Sequence, residues 1–459
     1  MIRMSLSQIA EVVGGVAHGE AVVSAPAFVD TRAPEVGGLF VAVLGERVDG
    51  HDFVPQALAG GAAAVLGSRP TEAPTVVVSD VIEALGLLAR HVRDAVAGMS
   101  VLAVTGSQGK TGVKDYLAAI LRGAGETVAT SGNHNNELGV PLTVLRVSES
   151  TRYLVVEMGA RGVGHISYLC NIARPDVAAV LNVGTAHIGE FGDRDTIALA
   201  KGEIIEALPA GGTAVLNAAD PYVAAMAPRT SAAVVTFGAG GDVVGEDVAH
   251  AGEGRYAFTL SAPDGRAPVR LLQRGAHQVD NALAAAAMAA AVGVGVAEAA
   301  ERLSAAQASS RWRMEVHERA DGMVVVNDAY NANPDSTIAA LVALADMGPA
   351  PRRTVAVLGE MYELGPDEVS GHRRVGERAA QLGIDVLVCV GPLAREIAHG
   401  AAGVAGWQGD AVVTAGRDDA LAWLVQNGSS ADVVLVKASR GAALEKIVEA
   451  LNVEGTVAG

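Results

Sequence analysis

The stretch Thr105-Gly-Ser-Gln-Gly-Lys-Thr111 carries the strongest chemical signal in the chain. It follows the apolar run Ser100-Val-Leu-Ala-Val-Thr105 and precedes a helical pattern over residues 112–121. A glycine-rich turn between a strand and a helix aims successive backbone N–H groups, and the positive end of the helix dipole, at phosphate oxygens. Thr105, Gly106, Ser107, Gln108, Gly109 and Gly112 would frame that cradle. Lys110 would reach the β- and γ-phosphates, and the Thr111 hydroxyl would meet Mg2+. The loop is compact, with Val104 and Thr105 standing where the general phosphate loop has an earlier glycine. A chance glycine turn is the alternative. No Asn-Lys-x-Asp sequence occurs, which favours adenine over guanine, and no strand opens into Gly-x-Gly-x-x-Gly, which argues against a dehydrogenase.

Other side chains could serve the same chemistry. Glu157 ends the apolar run Tyr153-Leu-Val-Val-Glu157, and a carboxylate at a strand's carboxyl edge beside a phosphate loop is placed to hold Mg2+. A solvated strand-end acid is the alternative. His277 and Asn281 share one face at a helix start, offering a stacking surface and an amide to adenine, or else only capping and packing. Asp328, Asn331 and Asn333 follow the run 324–326 and could orient a nucleotide or an incoming substrate. Lys437, Ser439 and Arg440 follow the run Asp432-Val-Val-Leu-Val-Lys437, and a strand-end Lys/Arg pair can hold a carboxylate or phosphate. A solvated charge cluster fits that last pattern too.

The elements that must position these groups fall into three blocks. Residues 1–98 read as a small mixed α/β unit, with apolar runs near 38–43, 62–66 and 75–78 and an amphipathic helix near 81–97. Residues 99–308 alternate strand runs at 100–105, 153–157, 177–182 and 213–217 with helical stretches, the pattern of βαβ units on a parallel sheet. A few antiparallel strands follow near 241–272, then a buried Ala-rich helix at 280–292. Residues 309–459 repeat the doubly wound pattern, with strands at 324–326, 354–358, 385–390 and 432–437. The fold class is therefore α/β in three domains: a small mixed N-terminal domain, a central P-loop parallel-sheet ATPase domain, and a C-terminal Rossmann-like domain.

Composition narrows the function. Lys and Arg number 34 against 51 Asp and Glu, a net charge of −17, so nucleic acid and anionic membranes are repelled. Two distant cysteines, Cys170 and Cys389, exclude a disulfide scaffold and a multi-cysteine metal site. The N-terminus lacks the long apolar core of a signal peptide, and no apolar stretch reaches the ~20 residues that span a bilayer. A cytoplasmic protein without membrane insertion is expected.

The motifs, taken together and in order, resemble the Mur ligase family over nearly the whole chain. They are Thr105–Thr111, Gly132-Asn-His-Asn-Asn-Glu-Leu-Gly-Val-Pro141, Glu157-Met-Gly-Ala160, Asn182-Val-Gly-Thr-Ala-His187, Ala200-Lys-Gly-Glu203, Gly275-Ala-His-Gln-Val-Asp-Asn281 and Asn327-Asp-Ala-Tyr-Asn-Ala-Asn-Pro334. The resemblance implies an ATP-dependent amide-bond former, in which a substrate carboxylate takes the γ-phosphate of ATP and an amine then attacks the acyl phosphate. It implies Lys110, Glu157, His187, Lys201 and Arg313 as the catalytic set, with Thr111, Glu157, His187 and a CO2-derived carbamate on Lys201 around Mg2+. By pattern alone, Lys201 is an exposed helix lysine and His187 a hydrogen-bonded structural histidine. The resemblance further implies that Asn133, Asn135 and Asn136 lie near the substrate and the transferred phosphate. It has Arg313, rather than Arg311, reach a phosphate, although Trp312 stands where the family usually has glycine. It assigns Thr31, Arg32, Asp49 and His51 to a UDP-binding site, with Phe53 near the uracil or in the core.

Within the family, Tyr330–Pro334 and Leu358-Gly-Glu-Met-Tyr-Glu-Leu-Gly365 resemble the branch that joins D-alanyl-D-alanine to UDP-N-acetylmuramoyl-tripeptide. The Asp-Asn-Pro-Arg of the branch that adds a single amino acid is absent. Asn331, Asn333, Lys437 and Arg440 would then meet the acceptor, and Asp328 the nucleotide. A monomer acting on small molecules is expected. Ligation of a single amino acid is the alternative, and a nucleotide-gated binding protein is a more distant one.

Overall fold

Alternation within one strand decides the central layer. In Ser100–Thr105, Val101 and Ala103 face one core while Leu102 and Val104 face the other, all fully buried. A strand buried on both faces needs helices on both sides of its sheet. The computed structural model, which describes residues 1–45, 48–132, 134–184, 188–348 and 352–454, shows that arrangement. The sheet runs in the order Ala233–Phe237, Thr213–Asn217, Val177–Val180, Ser100–Thr105, Tyr153–Glu157, Thr127–Ala129, all parallel. Its middle strand, Ser100–Thr105, has later strands on both sides. The loop leaving its carboxyl end therefore opens into a crevice between the loops of its two neighbours.

Three antiparallel strands, Val244–His250, Arg255–Ala262 and Gly265–Arg274, follow and lead into the helix His277–Ala290. Residues Ala282 to Ala289 of that helix are all buried, and they share a core with the helix Lys110–Ala124. The small side chains let the two helices approach closely enough to bring Asn281 against the phosphate loop.

The N-terminal sheet is mixed. Val16–His18 pairs antiparallel with Thr75–Val77, and Ala64–Gly67, Leu39–Val41 and Ala27–Phe28 continue in parallel. The helix Val81–Ala95, capped by the Asp80 carboxylate, places Leu85, Leu88 and Val92 in one core with Val140, Ile166 and Ile172. The C-terminal sheet runs Glu315–Glu318, Val324–Asn327, Asp432–Lys437, Arg353–Gly359, Val386–Val390, Asp410–Thr414, with only the first strand antiparallel. Val324 and Val326 face one core and Val325 the other.

Two boundaries differ from expectation in ways that matter. The helix after the phosphate loop begins at Lys110, because Gly109 at φ +83° turns the chain directly into it. Lys110 and Thr111 thus sit in its first turn. The strand expected over 177–182 stops at Val180, which frees Asn182 to turn toward the loop. The strands Thr127–Ala129, Ala233–Phe237 and Asp410–Thr414 escaped the sequence reading. Each is short or half-exposed at a sheet edge, so no continuous apolar run marks it. Among the described residues no helix is long and apolar enough to cross a membrane.

Candidate active site

The phosphate loop is held from both sides. Thr105 Oγ1 donates to the Met158 carbonyl at 2.9 Å, tying the loop's start to the neighbouring strand end. On the other side Asn182 accepts from the Gln108 N–H at 3.0 Å and donates back to the Gln108 carbonyl at 3.2 Å. The Ser107 hydroxyl receives the Gly184 N–H at 2.9 Å. A Cβ at Gly109 would lie 2.6 Å from Asn281 Oδ1, and one at Gly112 2.7 Å from Asn281 Nδ2, so a side chain at either position would displace the Asn281 amide, and the φ of +83° favours glycine at 109 besides. Lys110 curls over the loop and donates to the Gly106 carbonyl at 2.7 Å. Burial lowers its pKa and nearby Arg313 adds to that, while Glu157 opposes it.

Below the loop, Thr111 Oγ1 donates to Glu157 Oε2 at 2.9 Å, and Asn135 Nδ2 donates to Glu157 Oε1 at 2.8 Å. Glu157 is buried. Lys201 lines the same cleft from the helix Arg194–Glu206. It is buried, not exposed as its pattern alone suggests. No hydrogen bond or ion pair joins its ammonium to another described residue. Burial, with Lys110 nearby, pulls its pKa down to about 7. A buried carboxylate, a hydroxyl and an amide oxygen are hard donors of the kind Mg2+ takes, with substrate phosphate completing the shell. The residues present therefore fit the ion. Asn133 and His187 lie outside the described residues. Asn136 lines the cleft, and its side chain accepts the Gly139 N–H at 2.9 Å.

The cleft, of about 910 Å³, is closed on its far side by the C-terminal domain. Arg313, Asp328, Asn331, Asn333, Lys437 and Arg440 all line it, whereas Arg311 is exposed outside. Arg313 lies 4.1 Å over the Tyr330 ring, and Arg440 4.1 Å over the Trp312 ring. Those two rings stack with centroids 6.5 Å apart. Trp312 and Met314, which flank Arg313, both hold positive φ, +58° and +49°. That conformation costs an L-residue about 1–2 kcal/mol. Lys437 donates to Asp328 Oδ2 at 2.6 Å and to the Asn331 carbonyl at 2.8 Å, and burial lowers its pKa. Asp328 Oδ1 accepts the Met314 N–H at 3.1 Å. The Lys437–Asp328 pair thus fixes the arginine-bearing segment from within. Asn333 caps the helix Pro334–Met347.

In the same cleft, His277 Nδ1 and Gln273 Nε2 are buried polar atoms with no hydrogen-bond partner among the described residues. Asn281 donates to Gln278 at 3.1 Å.

The residues read as UDP-binding lie outside this cleft. Asp30–Arg32, Asp49–His51 and Ser68–Arg69 follow the carboxyl ends of three adjacent parallel strands of the first sheet. Arg32 is open to solvent there and paired to Asp30 at 2.7 Å, whereas Thr31 is half-buried and donates to Gln56 Oε1 at 3.4 Å. His51 is buried and both ring nitrogens are engaged, Nδ1 with Asp49 at 2.6 Å and Nε2 with the Ser68 N–H at 3.0 Å. Asp49 also binds Arg69 at 2.7 Å. Asp49 and His51 therefore brace the loop. Phe53 packs against the Phe28–Phe40 core.

Sequence reasoning gave Asn182 no role of its own, because it read that residue as the last of a strand, although a polar amide closing an apolar run was a usable signal. It also passed over Lys114, a buried lysine that bonds Asp115 at 2.5 Å and Ser310 at 3.1 Å. Ser309 reaches Asp115 at 2.7 Å, so the segment entering the third domain is tied to the phosphate-loop helix.

Residues 104–289 match the Mur ligase middle domain, residues 312–440 the Mur ligase glutamate ligase domain, and residues 29–97 the Mur ligase family catalytic domain. The chain is 44% identical to the UDP-N-acetylmuramoyl-tripeptide–D-alanyl-D-alanine ligase of Mycobacterium tuberculosis, covering 99% of each. It is 38% identical to the Escherichia coli ligase of the same name, covering 99% of this chain and all of that one. Among solved structures, a MurF from Acinetobacter baumannii superposes with a TM-score of 0.87 at 33% identity, covering 98% of each chain. The Thermotoga maritima MurF ligase in complex with ADP superposes with a TM-score of 0.79 at 32% identity, covering 94% of this chain and 98% of that one.

Proposed function

The chain belongs to the Mur ligase family, and we propose that it joins D-alanyl-D-alanine to UDP-N-acetylmuramoyl-tripeptide, converting ATP to ADP and phosphate. The observation that carries this reading is the convergence of Lys110, the Thr111–Glu157 pair and Arg313 on one cleft between two domains. Its acceptor follows from the full-length likeness to ligases of that name.

The terminal carboxylate of the tripeptide attacks the γ-phosphorus of ATP, and ADP leaves. The dipeptide amine, having lost its proton, attacks the acyl carbon, and phosphate leaves. Both steps build negative charge on phosphate oxygens, so positioned donors and cations do the work. The N–H groups at the start of the helix Lys110–Ala124 face the phosphates. Lys110 leaves the Gly106 carbonyl to balance the β- and γ-oxygens, and Arg313 approaches them from the C-terminal domain. Mg2+ held by Thr111 and Glu157 would neutralise charge on the same oxygens. A carbamate on Lys201 would turn an unpartnered buried cation into an anionic oxygen donor for a second ion. His277 and Gln273 offer their free polar atoms to the adenine.

Thr31 and Arg32, at the carboxyl edge of the first sheet, take the diphosphate of the UDP moiety. Residues 1–98, 99–308 and 309–459 serve as the UDP, ATP and acceptor domains. The reading puts the enzyme in the cytoplasm and has it act as a monomer.

The test is phosphate release from Mg·ATP with UDP-N-acetylmuramoyl-tripeptide and D-alanyl-D-alanine, a single amino acid, or no acceptor. Amide product with the dipeptide alone is expected. Release indifferent to acceptor would point to a nucleotide switch. Product from a single amino acid and the dipeptide precursor would point to another ligase of the family.

A further inference from the structure

Trp312 is an anomaly that the mechanism above leaves unused. Its backbone sits at φ +58°, where a bulky aromatic side chain is a rare outlier and glycine is at ease. Strain of this kind persists when the side chain supplies something that glycine could not. The indole stacks on Tyr330 at an interplanar angle of 28° and carries the Arg440 guanidinium 4.1 Å from its ring centre. The Trp312 carbonyl also accepts the Tyr330 N–H at 3.3 Å. Among the described residues Arg440 is otherwise paired with Glu445, at 2.8 Å, and its side chain is half exposed toward the cleft. Arg313 in turn lies on Tyr330. A run of contacts, Arg313–Tyr330–Trp312–Arg440, thus links the two cleft-lining arginines.

We propose that Trp312 is a positioning residue for the acceptor: its indole holds the Arg440 guanidinium where it takes the terminal carboxylate of the incoming dipeptide. The inference rests on the ligase reading above. A guanidinium fixed over an aromatic face loses less freedom when it pairs with a carboxylate. Without the indole, Arg440 keeps its pair with Glu445 among the described residues and samples more solvent. Lys437 cannot take over, because Asp328 and the Asn331 carbonyl already engage its ammonium.

The test uses Trp312→Gly, which keeps the backbone in a conformation that glycine favours, so the relief of backbone strain offsets the lost stacking of the indole. In steady-state ligation, the KM for D-alanyl-D-alanine should rise about tenfold or more, the KM for ATP should stay within about twofold, and the melting temperature should hold or rise. Trp312→Phe should recover most of the lost acceptor affinity. Adding Trp312→Gly to Arg440→Ala should cost nothing further. An unchanged acceptor KM in Trp312→Gly would overturn the inference. So would equal rises in both KM values, or a Phe variant no better than the Gly variant. Failure of the unmutated enzyme to ligate the dipeptide would instead overturn the ligase reading itself.

Discussion

Thr111 Oγ1 and Glu157 Oε2 meet at 2.9 Å, although 46 residues separate them in sequence. The parallel register sets this contact, because Glu157 lies opposite Val104, one residue before the phosphate loop begins. Glu157→Gln keeps the shape and one of the two accepted hydrogen bonds but removes the charge. Ligation is expected to fall by about 10²–10³-fold, as for the loss of one electrostatic stabiliser, with the melting temperature little changed. Phosphate release and thermal unfolding measured on the same preparation check both halves. Near-normal turnover would remove Glu157 from the metal site.

Lys201 yields a pH prediction. Its folded pKa is near 7 against 10.5 for the free side chain. Between those values the unfolded chain binds more protons, so this group's contribution to stability rises with pH across that window. Its burial penalty is full below about pH 7 and fades toward 10.5. In CO2-depleted buffer Lys201→Met should therefore melt higher than the parent at pH 6.5, with the gap closing toward pH 10. The same variant should be inactive. Carbamate formation needs the neutral amine, so depleting bicarbonate should lower the parent's turnover, and restoring it should recover activity more fully at pH 8 than at pH 6.5. Turnover indifferent to bicarbonate would refute the carbamate.

How much of this was legible beforehand depended on whether a residue's role was written in its neighbours. The phosphate loop was legible because glycines, a lysine and a threonine sit within one turn. The buried runs at 100–105, 153–157 and 432–437 gave the parallel sheets, because strands covered on both faces read as continuous apolar stretches. Lys201 by pattern alone read as exposed. Its burial depends on how the helix Arg194–Glu206 meets the loop, and no local pattern encodes that. Asp328 and Lys437 looked like two ligand-binding charges because 109 residues hide their pairing. Trp312 was visible only as an odd residue until its backbone angle was known.

The Lys437–Asp328 pair is nearly fully buried, which makes it a structural brace. Removing one partner strands a charge in the interior. Asp328→Ala or Lys437→Met should each lower stability by about 3–5 kcal/mol. The double variant should lose clearly less than the sum, because the second change removes the stranded charge. Denaturant unfolding of all four proteins tests this. If Lys437 instead serves chiefly to bind substrate, Lys437→Met will leave stability intact and raise a KM.

The first domain separates a brace from a contact more cleanly. His51 joins Asp49 to the Ser68 N–H, whereas Arg32 is exposed and, among the described residues, pairs with its near neighbour Asp30. His51→Ala removes an acceptor from a backbone donor and should lower stability by about 1–3 kcal/mol. Its effect on kcat should be negligible, since the site of phosphoryl transfer lies in another domain. Arg32→Ala should leave stability within about 0.5 kcal/mol, as for an exposed side chain. If Arg32 meets the diphosphate, it should raise the KM for the UDP-linked substrate about tenfold, with kcat unchanged, because that contact is the same in the ground and transition states. Melting curves and initial rates on the two variants give opposite patterns. A stability loss in Arg32→Ala without a change in KM would move the UDP site away from this sheet edge.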